Sequence, residues 1–376
     1  MTSRERLFAA LKGEPTDRIP MWLLFPWHRT SYYVDVRGLP KFKRLAALAE
    51  QYCITLDRRN MGLKWGTGDV VETWEKIDNA EEKINRHTVG YKGTKLWAES
   101  GVRRGKNVNK KLLDSIEDIE AICEMPVETD EKVIASALEA HFEKYNREKA
   151  EFPEHLGSMM LDLGEPISML YHSSNLEELS IASFYEETSD KVTAFLGRLN
   201  EQKKILYKRT LEENLADVYF MVGSELAAPP MVGIETFQKW IVPFAKDLTA
   251  QIHDSGKFVI QHFHGQIKHI LPWFVEMGAD AVHTIEAPPV GNCTISEAYD
   301  VVGDKLALIG NIQYDDFRSM TRQQMQKAVT DLLDEVAGRR FILSPSAGPY
   351  DTEVDERFIQ NYETFIETGW NYGARG

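Results

Sequence analysis

The sequence predicts a (β/α)8 barrel, a TIM barrel, carrying a β-hairpin insertion after its second strand. Three observations predict it. Eight short apolar runs alternate with longer amphipathic stretches. Nearly every run is followed at once by a polar residue able to do chemistry. The length, 376 residues, suits one large α/β barrel.

The runs are IPMWLLF (19–25), YCITLD (52–57), SMMLDL (158–163), DVYFMV (217–222), KFVIQH (257–262), DAVHTI (280–285), LALIGN (306–311) and RFILSP (340–345). Each is short and almost continuously apolar, the pattern of a parallel strand covered on both faces. Helical patterns lie between most of them, such as SDKVTAFLGRLNEQKKILYKRTLEEN (189–214). Another, TFQKWIVPFAKDLTAQIHDSG (236–256), ends on a glycine placed to cap a helix C-terminus. Eight β/α units close into a barrel; an open doubly wound sheet is the competing arrangement. The chain reads as one domain over 1–376. Residues 65–110 break the rhythm with short β-like pieces and glycine turns, hence the insertion, which is either a lid or partner surface or a solvated excursion. Residues 111–156 read as charged helix.

Composition narrows the function classes. Hydrophobic residues make up 43% and charged residues 27%, as in an ordinary globular protein. No apolar run approaches the ~20 residues that span a bilayer. The opening MTSRERLFAALKGEPTDRIP lacks a signal-peptide core, so a cytoplasmic protein is expected. The formal net charge of −14, with cations scattered among more numerous acids, argues against a nucleic-acid partner. Cys53, Cys123 and Cys293 are widely spaced and odd in number, which predicts reduced, buried thiols and no disulfide framework. No GxGxxG follows the first strand, and neither GxxxxGK[ST] nor GxSxG occurs.

In such barrels the active site lies at the C-terminal ends of the strands. The third run delivers Asp162 and Glu165 there, the fourth Glu225, the fifth His262 and His264. Glu286 follows the sixth, Asn311 the seventh, and Ser346, Tyr350 and Asp351 the eighth. Residues i and i+2 of an extended chain point to one side, so His262 and His264 are expected to face the mouth together. Two imidazoles with a carboxylate such as Glu225 make a zinc site with an open position; the same pair also suits proton transfer or substrate binding. Glu286 is a ligand, a partner to a histidine or an acid/base. Trp22, Phe25, Trp27 and Tyr32 are candidates to stack an aromatic ring. His269 and His283 read as helix or strand positions without a chemical role.

Several segments together resemble the uroporphyrinogen decarboxylase superfamily. They are RERLFAALKGEPTDRIPMW (4–22), GEPISMLYH (164–172), the strand–helix–strand GSEL…QHFHG (223–265), GDKLALIGNIQ (303–313) and FILSPSAGP (341–349). The resemblance implies a (β/α)8 barrel with a funnel-shaped site. One branch decarboxylates a porphyrinogen without a cofactor, using N-terminal-loop arginines and a central Asp. Arg29 alone matches those arginines here. The other branch moves methyl groups to or from a corrinoid protein, and its thiol-using members bind zinc with H-x-C on the fifth strand and a later Cys. In this chain His262 matches the first position, His264 replaces the Cys, and Ala347 stands where the last Cys is expected.

The expectation is therefore a methyltransferase that demethylates a small methylated substrate, including an aromatic methyl ether. A harder imidazole–carboxylate metal site suits an oxygen leaving group. His262, His264, Glu225 and Glu286 are the expected catalytic set, with zinc on His262, His264 and Glu225. Asn311, Tyr350, Trp27 and Asp162 are expected to contact substrate. Cobalamin is expected on a separate corrinoid protein, and a homodimer is permitted. The alternative is a cofactor-free decarboxylase.

Overall fold

Residues rich in Val, Ile, Leu and Met crowd both faces of the short strands, and the fold covers both faces. The computed structural model describes residues 1–225 and 227–375. Strand β1 (Thr55–Asn60) is followed by four inserted strands, β2 (Val71–Asp78), β3 (Glu82–Tyr91), β4 (Thr94–Arg103) and β5 (Lys106–Lys110). The wall resumes with β6 (Gly157–Asp162), β7 (Val218–Met221), β8 (Phe258–His262), β9 (Ala281–His283), β10 (Ala307–Ile312) and β11 (Phe341–Pro345). The wall strands pair in parallel, in the order β1-β6-β7-β8-β9-β10-β11.

The first apolar run supplies the eighth stave. Met21 bridges to Leu343 of β11 and Trp22 bridges to Ile54 beside β1. The Trp22 N–H donates to the Leu343 carbonyl at 2.9 Å, and the Ile54 N–H donates to the Met21 carbonyl at 2.8 Å. This segment thereby joins the two edges of the sheet and closes the ring. Pro20 offers a carbonyl but no N–H, which keeps its ladder short.

Inside the ring, Trp22, Leu56, Met160, Phe220, Ile260 and Ile309 belong to one apolar cluster. The helix Ser3–Lys12 plugs the floor, adding Leu7, Ala10 and Leu11 to that cluster. A capping box starts this helix: Thr2 Oγ1 accepts from the Glu5 N–H and the Glu5 carboxylate accepts from the Thr2 N–H. Gly13, in the left-handed region at φ 74°, ends it. Outside the ring, the long helix Glu186–Glu212 buries Val192, Phe195, Leu196 and Leu199, the i, i+3, i+4, i+7 stripe of a helix lying on a sheet.

Two expectations need correction. The insertion is a four-stranded antiparallel sheet in the order β2-β3-β4-β5, where one hairpin was expected. Its extra strands are made by two tight turns, Lys92–Gly93 (φ 44° and 89°) and Arg104–Gly105 (φ 49° and 74°). Positive φ at both central residues is the hairpin turn whose twist matches the strands. The second strand also runs from Thr55 to Asn60, three residues beyond its apolar stretch, because charged side chains are buried in it as pairs. Asp57 accepts from His28 Nδ1 at 2.7 Å, and Arg59 Nε donates to Glu148 at 2.5 Å.

Residues 116–123 and 131–151 are helical, as the charged pattern of 111–156 suggested. The three cysteines are free and buried. Among the described residues no helix is long and apolar enough to cross a membrane.

Closure through Trp22 predicts the effect of removing it. This side chain is fully buried in the ring. Trp22→Ala is expected to lower unfolding stability by roughly 3–5 kcal/mol, read from urea denaturation. An effect below about 1 kcal/mol would show that the segment does not hold the barrel shut.

Candidate functional site at the barrel mouth

Side chains alternate across a strand, so each inward position recurs every second residue. One step above the apolar layer, the inward positions are Leu24, Val222 and six polar residues, Arg58, Asp162, His262, His283, Asn311 and Ser344. The barrel's uppermost interior layer is thus mostly polar, and it rests on Trp22 and Phe220.

Two histidines on adjacent strands meet in this layer. The register sets His262 of β8 beside His283 of β9, and their rings stack with centroids 4.9 Å apart. The Nδ1 atoms lie 2.8 Å from each other, and His283 Nε2 lies 3.1 Å from the Pro345 carbonyl. A carbonyl only accepts, so His283 carries its proton on Nε2 and presents Nδ1 as an acceptor. His262 must then donate from Nδ1, and its Nε2 keeps a bare lone pair. Burial holds both rings neutral: it drives His262 well below the ordinary imidazole value and pushes His283 down to about 3, with the charges of His264 and Arg58 adding to the effect. His283 therefore sets the tautomer of His262. Reading it as a strand position without a role missed this, although its placement two residues after buried Ala281 marks it as inward.

Arg58 and Asp162 form the other half of the layer. Arg58 Nε and Nη2 reach the Asp162 carboxylate at 3.0 and 2.8 Å, with both side chains buried. Tyr32 donates its hydroxyl to Asp162 at 2.8 Å, and Arg58 also donates to the Tyr33 hydroxyl. The guanidinium carbon sits 4.7 Å from the Phe220 ring centroid and 5.1 Å from each tyrosine ring. Burial opposes the arginine charge, but Asp162 and the tyrosines outweigh it and raise its proton affinity. Burial and the Asp162 charge hold the Tyr32 phenol protonated.

The loop after β8 carries the second sequence-predicted histidine. The His264 ring stands nearly perpendicular to that of His262, centroids 4.7 Å apart. Its Nδ1 lies 3.4 Å from Glu286, whose other oxygen accepts the Gly265 N–H at 2.7 Å. Burial pushes the Glu286 carboxyl up, but His264 and the Gly265 N–H outweigh it and hold the group ionised. Glu225 turns its carboxylate to the Gly223 N–H, while its carbonyl accepts the His264 N–H at 3.4 Å.

His262, His264 and Glu286 thus come together. Asp162 and Glu225 line an adjoining cavity of about 610 Å³, with Tyr32 and Arg58. Trp27 does not reach it: its ring packs under Arg37 at 4.1 Å and against Phe152. Tyr350 lies at the rim, 56% exposed, with its ring tilted against Tyr33 and edge-on to Tyr314. Trp22 and Phe25 are core, leaving Tyr32 as the aromatic residue of the four at the cavity. Glu165 is buried outside the mouth layer, and Asp351 pairs with Arg318 at the surface.

The donors expected to hold zinc, His262, His264 and Glu225, are not gathered as a set of three. Among the described residues no three His, Cys, Asp or Glu groups stand together so as to hold a metal ion. His262 and His264 each leave Nε2 without a hydrogen-bond partner. Glu286 holds His264, and the Glu225 carboxylate is turned to its own loop.

Comparison with known proteins agrees on the architecture. Residues 184–361 match the uroporphyrinogen decarboxylase (URO-D) family. A methyltransferase from Methanosarcina mazei has a similar structure, with a TM-score of 0.61, 15% identity and 98% of each chain covered. A D-psicose 3-epimerase from Clostridium cellulolyticum H10 is more distant, with a TM-score of 0.39, 10% identity, and 62% of this chain and 85% of that one covered. No curated protein matches the chain.

Two outcomes are expected of the mouth layer. Because folding keeps His283 neutral down to about 3, the unfolded chain binds its proton first. The histidine contribution is therefore undiminished above an ordinary imidazole value near 6.5 and is lost as pH falls from there toward 3. His283→Phe should flatten that acid loss in denaturation curves between pH 7 and pH 5, and an unchanged slope would count against the neutral relay. Arg58→Met strands the Asp162 carboxylate and should destabilise by roughly 3–5 kcal/mol, whereas Arg58→Met with Asp162→Leu should recover most of it. Equal losses in the single and double variants would contradict the pairing.

Proposed function

Taking as premise that the chain carries a uroporphyrinogen decarboxylase family domain, with the fold of a methyltransferase, we propose that it is an enzyme of methyl transfer. It takes the methyl group from the oxygen of a small methylated compound and passes it to a corrinoid held by a partner protein. The observation that carries the reading is the His264–Glu286 pair beside neutral His262 at the barrel mouth.

The chemistry needs a good leaving group. An ether C–O bond breaks readily only if the departing oxygen, which keeps the electron pair, receives a proton. His264 is suited to give it. The Glu286 carboxylate at Nδ1 orients the ring, which leaves Nε2 to face the oxygen. The Glu225 carbonyl on the His264 N–H fixes the loop that bears the ring. His262 has the opposite character. Its bare Nε2 only accepts, so it selects a substrate with a hydroxyl or amide N–H near the methylated oxygen. Asn311, in the same layer, adds an amide to substrate contact. The corrinoid supplies the nucleophilic cobalt. A cavity of about 610 Å³ suits a small ligand, which supports a corrinoid arriving on another protein over the mouth.

The test is direct. The purified chain is mixed with a reduced corrinoid protein and a panel of methyl ethers, and methylation of the corrinoid is followed by its absorbance. At least one ether should be demethylated, and His264→Gln should slow that reaction by about 10²-fold or more with folding intact. Release of carbon dioxide from a porphyrinogen, with no methyl transfer across the panel, would replace this reading by the decarboxylase.

A further inference from the structure

The cavity beside the mouth contains a charge that nothing in the site accounts for. Lys203, on the helix Glu186–Glu212, lines it together with His172. Among the described residues Lys203 makes no hydrogen bond and no ion pair. The acid that acts on it electrostatically is Glu165, but no ion pair or hydrogen bond joins the two. Glu165 is fully buried, and neither of its oxygens has a hydrogen-bond partner. Burial pushes its carboxyl up, and the approach of Ser224 and Gln261 offsets only part of this.

The other cation of the cavity is already committed, since Arg58 is bound to Asp162 by its Nε and Nη2. A lysine partly withdrawn from water, with no carboxylate in contact with it, leaves its donors open to a ligand anion. Burial lowers it to about 8, which leaves it mostly charged near neutrality.

The cavity also has an apolar body. Met61, Leu63, Trp65, Leu163, Leu199 and Leu206 form much of its wall. That wall is held in place: Gln202, next to Lys203, donates to the carbonyls of Lys64, Trp65 and Glu128 at 2.9–3.0 Å. The 64–65 segment is therefore pinned to the helix that carries the lysine.

We infer that this cavity is a carboxylate-binding pocket, whose ligand is a small organic acid with its carboxylate on Lys203 and its apolar body against the leucines and Trp65. Glu225 lines the same cavity and repels a carboxylate from its own part of the wall, which orients the acid. His172 adds a second donor for the carboxylate. The inference does not rest on methyl transfer. It concerns what the cavity holds, and it is tested by binding alone, without a corrinoid.

The probes are benzoate, 3-phenylpropionate and hexanoate, each measured by calorimetry beside its own primary amide, which keeps the shape and removes the charge. At least one acid should bind roughly tenfold or more tightly than its amide, the ratio expected of a charge-assisted contact. Lys203→Met should abolish that preference, and Lys203→Arg should retain part of it. Lys203→Gln takes the place of the methionine variant if that one does not fold. The inference is overturned if none of the acids binds, if acid and amide bind alike, or if the preference survives loss of the lysine. Inorganic phosphate binding as tightly as the best acid would also overturn it, because the apolar wall would then have no part in recognition.

Discussion

Everything at this site follows from closing a narrow parallel barrel on a two-residue alternation. Once residues 21 and 22 bridge β11 to the chain beside β1, the interior has no room for anything but side chains. The floor is sealed by the N-terminal helix, and the middle is filled by Trp22, Phe220 and their neighbours. Polar inward residues are therefore tolerated at the last inward step before the mouth, where water or a ligand can meet them. Arg58, Asp162, His262, His283, Asn311 and Ser344 share a layer because each lies two residues beyond a buried apolar or small residue on its own strand. The polar mouth is the unfinished end of the core.

The layer is electrically tense, and its parts relieve one another. An arginine and a carboxylate withdrawn from water are tolerable only as a pair with their remaining hydrogen-bonding capacity filled. Tyr32 and Tyr33 supply the further partners, and Phe220 offers its ring to the guanidinium. The same positive charge opposes protonation of the histidines across the layer. Neutral histidines can satisfy each other only in one order, with His262 donating to His283 and His283 to the Pro345 carbonyl. That order exposes a lone pair and hides every proton, which decides the chemistry His262 can do.

Much of the fold was legible because barrel strands in this chain are apolar on both faces. Seven apolar runs became wall strands, and the eighth became the bridging segment 21–22. The end of β1 was not legible, since Asp57 and Arg59 are buried by salt bridges and no hydropathy pattern records a partner 29 or 89 residues away. Arg58 was lost for the same reason. The four-stranded insertion had a signal in YKGT and RRGK, two tight-turn sequences that divide it into separate strands. The meeting of His262 with His283 depends on the register of two neighbouring strands, which pairing decides and local sequence does not. Aromatic residues of the first run and loop were the least legible. Trp27 and Tyr32 are five residues apart in the same loop, yet one packs on Arg37 and the other bonds to Asp162 in the mouth layer.

The HxH pattern itself places two identical side chains in unlike surroundings. His262 closes β8, is nearly out of contact with water and has its Nδ1 proton taken by a neighbour on the next strand. His264 stands two residues later in the loop, with a quarter of its side chain exposed and an ionised carboxylate at its Nδ1. The two rings, centroids 4.7 Å apart, thus differ in partner: His262 leaves a bare Nε2, and His264 has a carboxylate at Nδ1. Neither environment would survive exchange of the two positions. Burying His264 would strand Glu286, and exposing His262 would break the chain of donors that fixes its lone pair. A thiolate at the second position would bring a permanent negative charge next to Glu286. The histidine found there is the residue type that turns the same carboxylate from a source of repulsion into a partner.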